Sequence, residues 1–252
     1  MYIKRESTHG VKTRGVTVKG LNNFVTNVDT TAEGRLVNGL KQILPGAGFL
    51  TEENTLNISD KPLRWVIDPL DGTTNFIHGV PVFSISVALM EGEDTIIGVV
   101  YEINRDECFY AWKEAGAYLN SHQIRTSATK ILPDALIATG FPYDDFTRIN
   151  QYLSLFKQLM QHTRGIRRLG SAAVDLAYVA CGRFDAFFEY ALNPWDVAAG
   201  ALIVRQAGGQ VSDFSGEGNY VFGSEIVAGN TPVFRELLNH VKVHFQHTPT
   251  SR

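Results

Sequence analysis

The chain has 252 residues, 44% of them hydrophobic and 19% charged, which is enough apolar side chain for a buried core and too little charge for a disordered chain. Its 23 Lys and Arg against 26 Asp and Glu leave a formal net charge of −3, which argues against the basic surface of a non-specific nucleic-acid binder. No apolar run has the length of a membrane span, residues 1–6 lack the apolar stretch of a signal peptide, and Cys108 and Cys181 carry neither disulfide nor zinc spacing, so a small-molecule enzyme of a reducing cytoplasm is expected.

Residues 1–23 are polar and basic and show no helical periodicity. The first helix is expected from about 29 to 44, where Leu36, Leu40, Ile43 and Leu44 recur at helical spacing before Pro45-Gly46. Strands follow at 65–68, at 83–89, at 96–101 and at 108–112; in the second, Phe83, Ile85, Val87 and Leu89 alternate with Ser84 and Ser86. One helix followed by closely spaced strands points to a mainly antiparallel sheet with helices on one face. After about 133 the texture changes. Strands at 136–140, 166–169, 184–189 and near 226 alternate with helices at 149–160, 172–180, 197–207 and 231–245. That alternation reads as α/β. The chain therefore divides into an α+β half, 1–133, and an α/β half, 134–252, meeting at a cleft, with a loose tail from His247 to Arg252.

The densest chemistry lies in Trp65-Val-Ile-Asp68-Pro-Leu-Asp71-Gly-Thr-Thr74. An apolar strand delivers two carboxylates three residues apart, and hard cations such as Mg²⁺ favour such oxygen clusters. Gly72-Thr73-Thr74 then reads as the start of a short helix running toward His78-Gly79, whose free N–H groups favour a phosphate. Metal ligands beside a phosphate cradle point to phosphoryl chemistry. Two further acidic sites accompany it: Thr51-Glu52-Glu53 at a strand end, and Pro194-Trp195-Asp196 at the start of an apolar helix, where Asp is also a common helix cap.

Taken in order, Asn23 to Asp29 with Glu33, Thr51 to Glu53, Asp68 to Phe76, Gly170 to Ala173 and Trp195 to Gly200 resemble the inositol monophosphatase family of Mg²⁺-dependent, lithium-sensitive phosphatases. The resemblance implies a layered α-β-α-β-α sandwich with the site between the sheets. It implies two or three Mg²⁺ ions, with Glu52, Asp68 and the carbonyl of Leu70 around the first and Asp68, Asp71 and Asp196 around the second. By the same resemblance Glu52, Thr73 and Asp29 form the catalytic set, with Asp29 and Thr73 beside the nucleophilic water. Asp71, Gly72, Thr73, Ala172, Glu189 and Asp196 contact substrate, Glu189 at the hydroxyls of a sugar or inositol. The implied reaction is direct attack of metal-activated water on the phosphorus of a small phosphate monoester, without a covalent enzyme intermediate. A homodimer is expected.

Asp68 and Asp71 stand three apart where a haloacid-dehalogenase motif spaces its aspartates by two, which makes that reading a poor fit, and neither a P-loop nor HExxH occurs. His240, His244 and His247 share a face of the last helix, and Arg164, Arg167 and Arg168 form a basic cluster suited to an anionic substrate, a partner or surface ion pairs. Among substrates, inositol monophosphate or a similar polyol phosphate leads. Fructose 1,6-bisphosphate, NADP, 3′-phosphoadenosine nucleotides and histidinol phosphate are the alternatives. A non-catalytic regulatory protein on the same fold is the reading from another class.

Overall fold

The computed structural model describes residues 2–8, 16–20, 23–53, 61–143 and 145–245. In chain order the elements are α1 (Tyr2–Thr8), β1 (Val16–Gly20), β2 (Asn23–Thr26), α2 (Asn27–Ile43), β3 (Gly48–Thr51), β4 (Leu63–Asp71), α3 (Thr73–His78), β5 (Ser84–Glu91), β6 (Asp94–Glu102) and β7 (Glu107–Trp112). They continue with β8 (Ala117–Leu119), β9 (His122–Ile124), β10 (Leu136–Thr139), α4 (Ile149–His162), β11 (Gly165–Arg167), α5 (Ala172–Ala180), β12 (Ala186–Tyr190), α6 (Pro194–Gln206), β13 (Gln210–Ser212), β14 (Glu225–Gly229) and α7 (Thr231–Phe245). The boundary expected at 133/134 falls in a short 3-10 turn, Leu132–Asp134, just before β10.

Strands β3 to β9 pair in sequence order into a seven-stranded sheet, antiparallel except for the parallel β3–β4 pair. A second sheet runs β11-β10-β12-β14-β13, parallel around β10 and antiparallel at β14. Helices cover both sheets on both faces. Ile67 of β4 packs with Val37 of α2, while its neighbour Val66, pointing the other way, packs in the cluster of α5 and α6. Phe187 of β12 joins that same central cluster, and Phe188 packs outward with Leu155 of α4 and Leu237 of α7. The order is α2, sheet, α5–α6, sheet, α4–α7, which is the layered sandwich. Helices on one face of the first sheet, as the strand order alone implied, are corrected by this: α5 and α6, from the later half of the chain, fill its second face.

That middle layer explains an unexpected burial pattern. In β5 the serines are the more buried set: Ser84 and Ser86 are closed off while Ile85 and Val87 keep partial exposure. Ser86 Oγ donates to the carbonyl of Trp195 at 2.9 Å, and Ser84 Oγ lies 3.3 Å from Ser171 Oγ. Small side chains are needed because α6 presses onto the strands. A Cβ on Gly98 of β6 would come within 2.7 Å of the Ala199 carbonyl.

The expectation for residues 1–23 is also corrected. Residues 2–8 form a helix, with Ile3 buried against Val28 and Ala32 of α2 and the Arg35 guanidinium 4.1 Å from the Tyr2 ring centre. Seven residues with one buried aliphatic are too few to display a period. The hairpin β1–β2 leads directly into α2. Among the described residues no helix is long and apolar enough to cross a membrane. The tail expected to be loose, 247–252, lies outside the described residues.

Candidate active site

Strand β4 ends in a bulge. Asp68 pairs with Ser86 and Asp71 with Ser84, so Pro69 and Leu70 together oppose only Ile85. Proline has no N–H for the ladder, and a bulge re-aims the side chains beside it. The Leu70 N–H donates to Asp68 Oδ1 at 2.8 Å, tying the bulge closed. Gly72 then adopts φ +94, in the left-handed region, and a Cβ there would lie 3.0 Å from the Val82 carbonyl. The chain turns into α3, and Thr73 Oγ reaches back to the Leu70 carbonyl at 2.9 Å and to Asp29 Oδ1 at 3.1 Å.

Three other elements bring acids to this point. The parallel register of β3 on β4 places Glu52 beside Asp68, and the Glu52 N–H donates to the Ile67 carbonyl at 3.2 Å. The next residue's N–H donates to buried Glu33 at 2.9 Å, so Glu33 of α2 fixes the end of β3. Asp29 is the third residue of α2 and closes its N-terminal capping box by accepting the Thr26 N–H at 2.9 Å. Asp196 does the same in α6, accepting the Asn193 N–H on Oδ2 at 2.7 Å. Both are helix caps, and each uses Oδ2 for the cap and has Oδ1 to spend elsewhere.

One cavity is lined by Glu52, Asp68, Leu70, Asp71, Gly72, Thr73, Ala172, Glu189 and Asp196, which are all the expected site residues but one. Asp29 is the exception; it stands behind Thr73, fully buried, and reaches the cavity only through that hydroxyl. Asp71 Oδ2 accepts from Ser171 Oγ at 2.5 Å and from the Ala173 N–H at 2.8 Å.

Burial sets the electrostatics. It raises the carboxyl of Asp68 well above its ordinary value, and the charges of Glu52, Asp71 and Asp196 raise it further. Asp196 is likewise raised well above, by burial, then Asp71 and Glu52. Asp71 is pushed by burial up to about 6 against the hydrogen bonds from Ser171 and Ala173. Burial raises Asp29 despite its bonds from Thr26 and Thr73. Such a group cannot ionise together without a counter-charge. Its donors are all oxygens, the chemistry a hard divalent cation takes. Among the described residues no three His, Cys, Asp or Glu side chains stand as a ready-made ligand group, so these acids share a cavity rather than one formed polyhedron.

Comparison with known proteins decides the relationship. The family model of the inositol monophosphatase family matches residues 2–246. The chain belongs to the inositol monophosphatase family. It is 45% identical over 225 residues to a protein of Escherichia coli K12 named "Nus factor SuhB", covering 89% of this chain and 84% of that one. It is 41% identical over 228 residues to an "Inositol-1-monophosphatase" of Mesorhizobium japonicum, covering 90% and 86%. The crystal structure of extragenic suppressor protein suhB from Bartonella henselae superposes with a TM-score of 0.91 at 40% identity, covering 96% of this chain and 93% of that one. Membership carries the fold and supports a phosphatase, and members of the family are generally metal-dependent.

Within this inositol monophosphatase fold the basic cluster separates. Arg164 pairs with Asp134 at the surface and Arg167 Nη1 donates to the Ile166 carbonyl, while Arg168 lines the cavity. Glu189, at the end of β12, also lines it, and burial pushes its carboxyl up to about 8. The cavity contains residues that sequence reasoning passed over: Ser171, Asp175, Gly140 and Tyr143. Ser171 carried a signal, since a serine before the small-residue run of α5 is a natural N-cap, and it accepts the Val174 N–H at 3.3 Å. His240 and His244 lie on the face of α7 turned to α4, where His244 Nε2 sits 2.6 Å from Gln158 Oε1. Burial, then His244 and His162, lowers His240. His247 lies outside the described residues.

Proposed function

We propose that this protein is a Mg²⁺-dependent, lithium-sensitive phosphomonoesterase of inositol monophosphate or a closely similar polyol phosphate, using two or three ions. The carrying observation is the gathering of Glu52, Asp68, Asp71 and Asp196 in one cavity with Thr73 and its buried partner Asp29. In this reading Glu52, Asp68 and the Leu70 carbonyl hold one cation, and Asp68, Asp71 and Asp196 a second. Bound divalent cations activate water at neutral pH and stabilise charge on the phosphoryl and leaving oxygens.

The chain's own residues do the rest. Thr73 Oγ has one hydrogen and two acceptors in reach. Once the Leu70 carbonyl is engaged elsewhere, that hydrogen goes to Asp29. The Thr73 lone pairs are then free to accept from the attacking water and to hold it in line with phosphorus. Gly72 and Thr73 present the phosphate site, and Ala172 and Glu189 face the leaving group. Water oxygen bonds to phosphorus, the ester P–O bond breaks, and one water proton finishes on the released alcohol. No covalent enzyme intermediate forms.

A regulatory role on the same fold is the second reading, because the E. coli relative is named a Nus factor. The retained acids favour chemistry. The test is phosphate release from inositol 1-phosphate, fructose 1,6-bisphosphate, NADP, 3′-phosphoadenosine 5′-phosphate and histidinol phosphate, each with Mg²⁺ and with added Li⁺. The reading requires inositol 1-phosphate to have the highest kcat/KM and Li⁺ to inhibit. Another ester leading would replace the substrate; no release from any would leave the regulatory reading.

A further inference from the structure

Arg168 takes no part in the mechanism above, yet it is held in the same cavity by a dedicated set of contacts. Its guanidinium lies 4.6 Å from the Phe141 ring centre and 5.4 Å from that of Tyr143, and Nη2 donates to the Tyr143 hydroxyl. Its Nε is buried with no hydrogen-bond partner. The third nitrogen, Nη1, extends over Gly170, where a Cβ would come within 2.6 Å of it. Gly170 lines the cavity and has φ +93, so the absence of a side chain there opens the path for the guanidinium.

Two acids stand with it. Asp175 of α5 lines the cavity at 1% exposure, and its Oδ1 is buried without a partner. The Glu189 carboxyl lies directly on Gly140, so closely that a Cβ would meet Oε1 at 2.0 Å. Gly140 and Phe141 are adjacent, so Glu189 over one and Arg168 over the other stand as neighbours. Buried unpaired polar atoms are costly for folding alone. A guanidinium and a carboxyl, side by side with unspent hydrogen-bonding capacity, complement a ligand that both donates and accepts.

We propose that Arg168 is a specificity-determining residue of this cavity: Nη1 donates to one hydroxyl of a polyol leaving group while Glu189 holds the neighbouring one. This rests on the phosphatase reading and narrows its substrate class to esters with adjacent free hydroxyls. The acids Asp175 and Glu189 line the cavity beside this guanidinium, a setting that suits a neutral hydroxyl better than a second phosphate. A 4-nitrophenyl leaving group has no pair of adjacent hydroxyls to meet both partners.

The experiment compares kcat/KM of wild type, Arg168→Gln and Arg168→Lys on inositol 1-phosphate, cyclohexyl phosphate, 4-nitrophenyl phosphate and fructose 1,6-bisphosphate. In Arg168→Gln the ratio of inositol 1-phosphate to cyclohexyl phosphate should fall about tenfold or more, the range of one charged hydrogen bond. The loss should appear mainly in KM, and Arg168→Lys should recover part of it. Equal losses on inositol 1-phosphate and cyclohexyl phosphate would mean a structural role and overturn the proposal. So would a larger loss on the bisphosphate, which would mark an anion site. Wild type inactive on all four esters would instead overturn the phosphatase reading, and this proposal with it.

Discussion

Glu189 lets the burial argument be tested apart from catalysis. Its carboxyl is raised from 4.5 to about 8, chiefly by burial, with Arg168 opposing and Asp71 adding. In the unfolded chain it ionises near 4.5, so from there up to pH 8 the unfolded state holds fewer protons than the folded one. Stability therefore falls as pH rises through that window and levels off above it. Between pH 5 and pH 8 this one group removes about 3–4 kcal/mol from the metal-free protein. Asp68, Asp71, Asp175 and Asp196 are shifted the same way, so the wild-type slope alone cannot be assigned to one residue. Glu189→Gln keeps the shape and removes the titration. Thermal melts of both proteins in chelator, at steps from pH 5 to pH 8, isolate its share. Near pH 5 the two should melt within about a degree or two. By pH 8 the gap should have widened by roughly 6–16 °C in favour of the variant, at about 2–4 °C per kcal/mol for a chain of this size. Parallel melting curves over the whole range would refute the idea that Glu189 is held protonated by its burial.

Three further outcomes follow from the site. Thr73→Ala should lower kcat by about 10²-fold while costing only about 1 kcal/mol of stability, measured by steady-state kinetics beside a denaturant melt; wild-type turnover would remove that hydroxyl from the mechanism. Asp196→Asn should shrink the Mg²⁺-induced rise in melting temperature and abolish most turnover, since ligand binding to the folded state alone stabilises it; an unchanged Mg²⁺ response and turnover would leave Asp196 a helix cap only. Gly140→Ala should displace the Glu189 carboxyl and raise KM for inositol 1-phosphate more than it lowers kcat, and an unchanged KM would separate Glu189 from substrate.

The layered fold was legible because the motifs and the change from crowded strands to alternating strands and helices pointed the same way. What escaped has physical reasons. The pattern of Ser84 and Ser86 reads as a solvent face, yet these serines are buried because α6, over a hundred residues later, needs small partners there. Strands β8, β9 and β13, at three residues each, are too short to show alternation. At the site, the β4 carboxylates were readable since one local bulge aims them. Asp29 was readable only through resemblance, and Asp196 only as an acid at the start of an apolar helix; locally each belongs to a capping box, and only the tertiary fold brings it to the site. Arg164, Arg167 and Arg168 looked alike in sequence. What separates them is the direction each side chain leaves the short strand β11 and the turn after it, which no spacing records.

The central claim is that the acids of this cavity work through divalent cations on a phosphate monoester. The most direct measurement is phosphate release from inositol 1-phosphate by protein stripped with excess chelator, then titrated with Mg²⁺. The account predicts no release in chelator and full recovery as Mg²⁺ is restored, with Asp68→Asn failing to recover. Undiminished release in chelator, or recovery by Asp68→Asn equal to wild type, would contradict it.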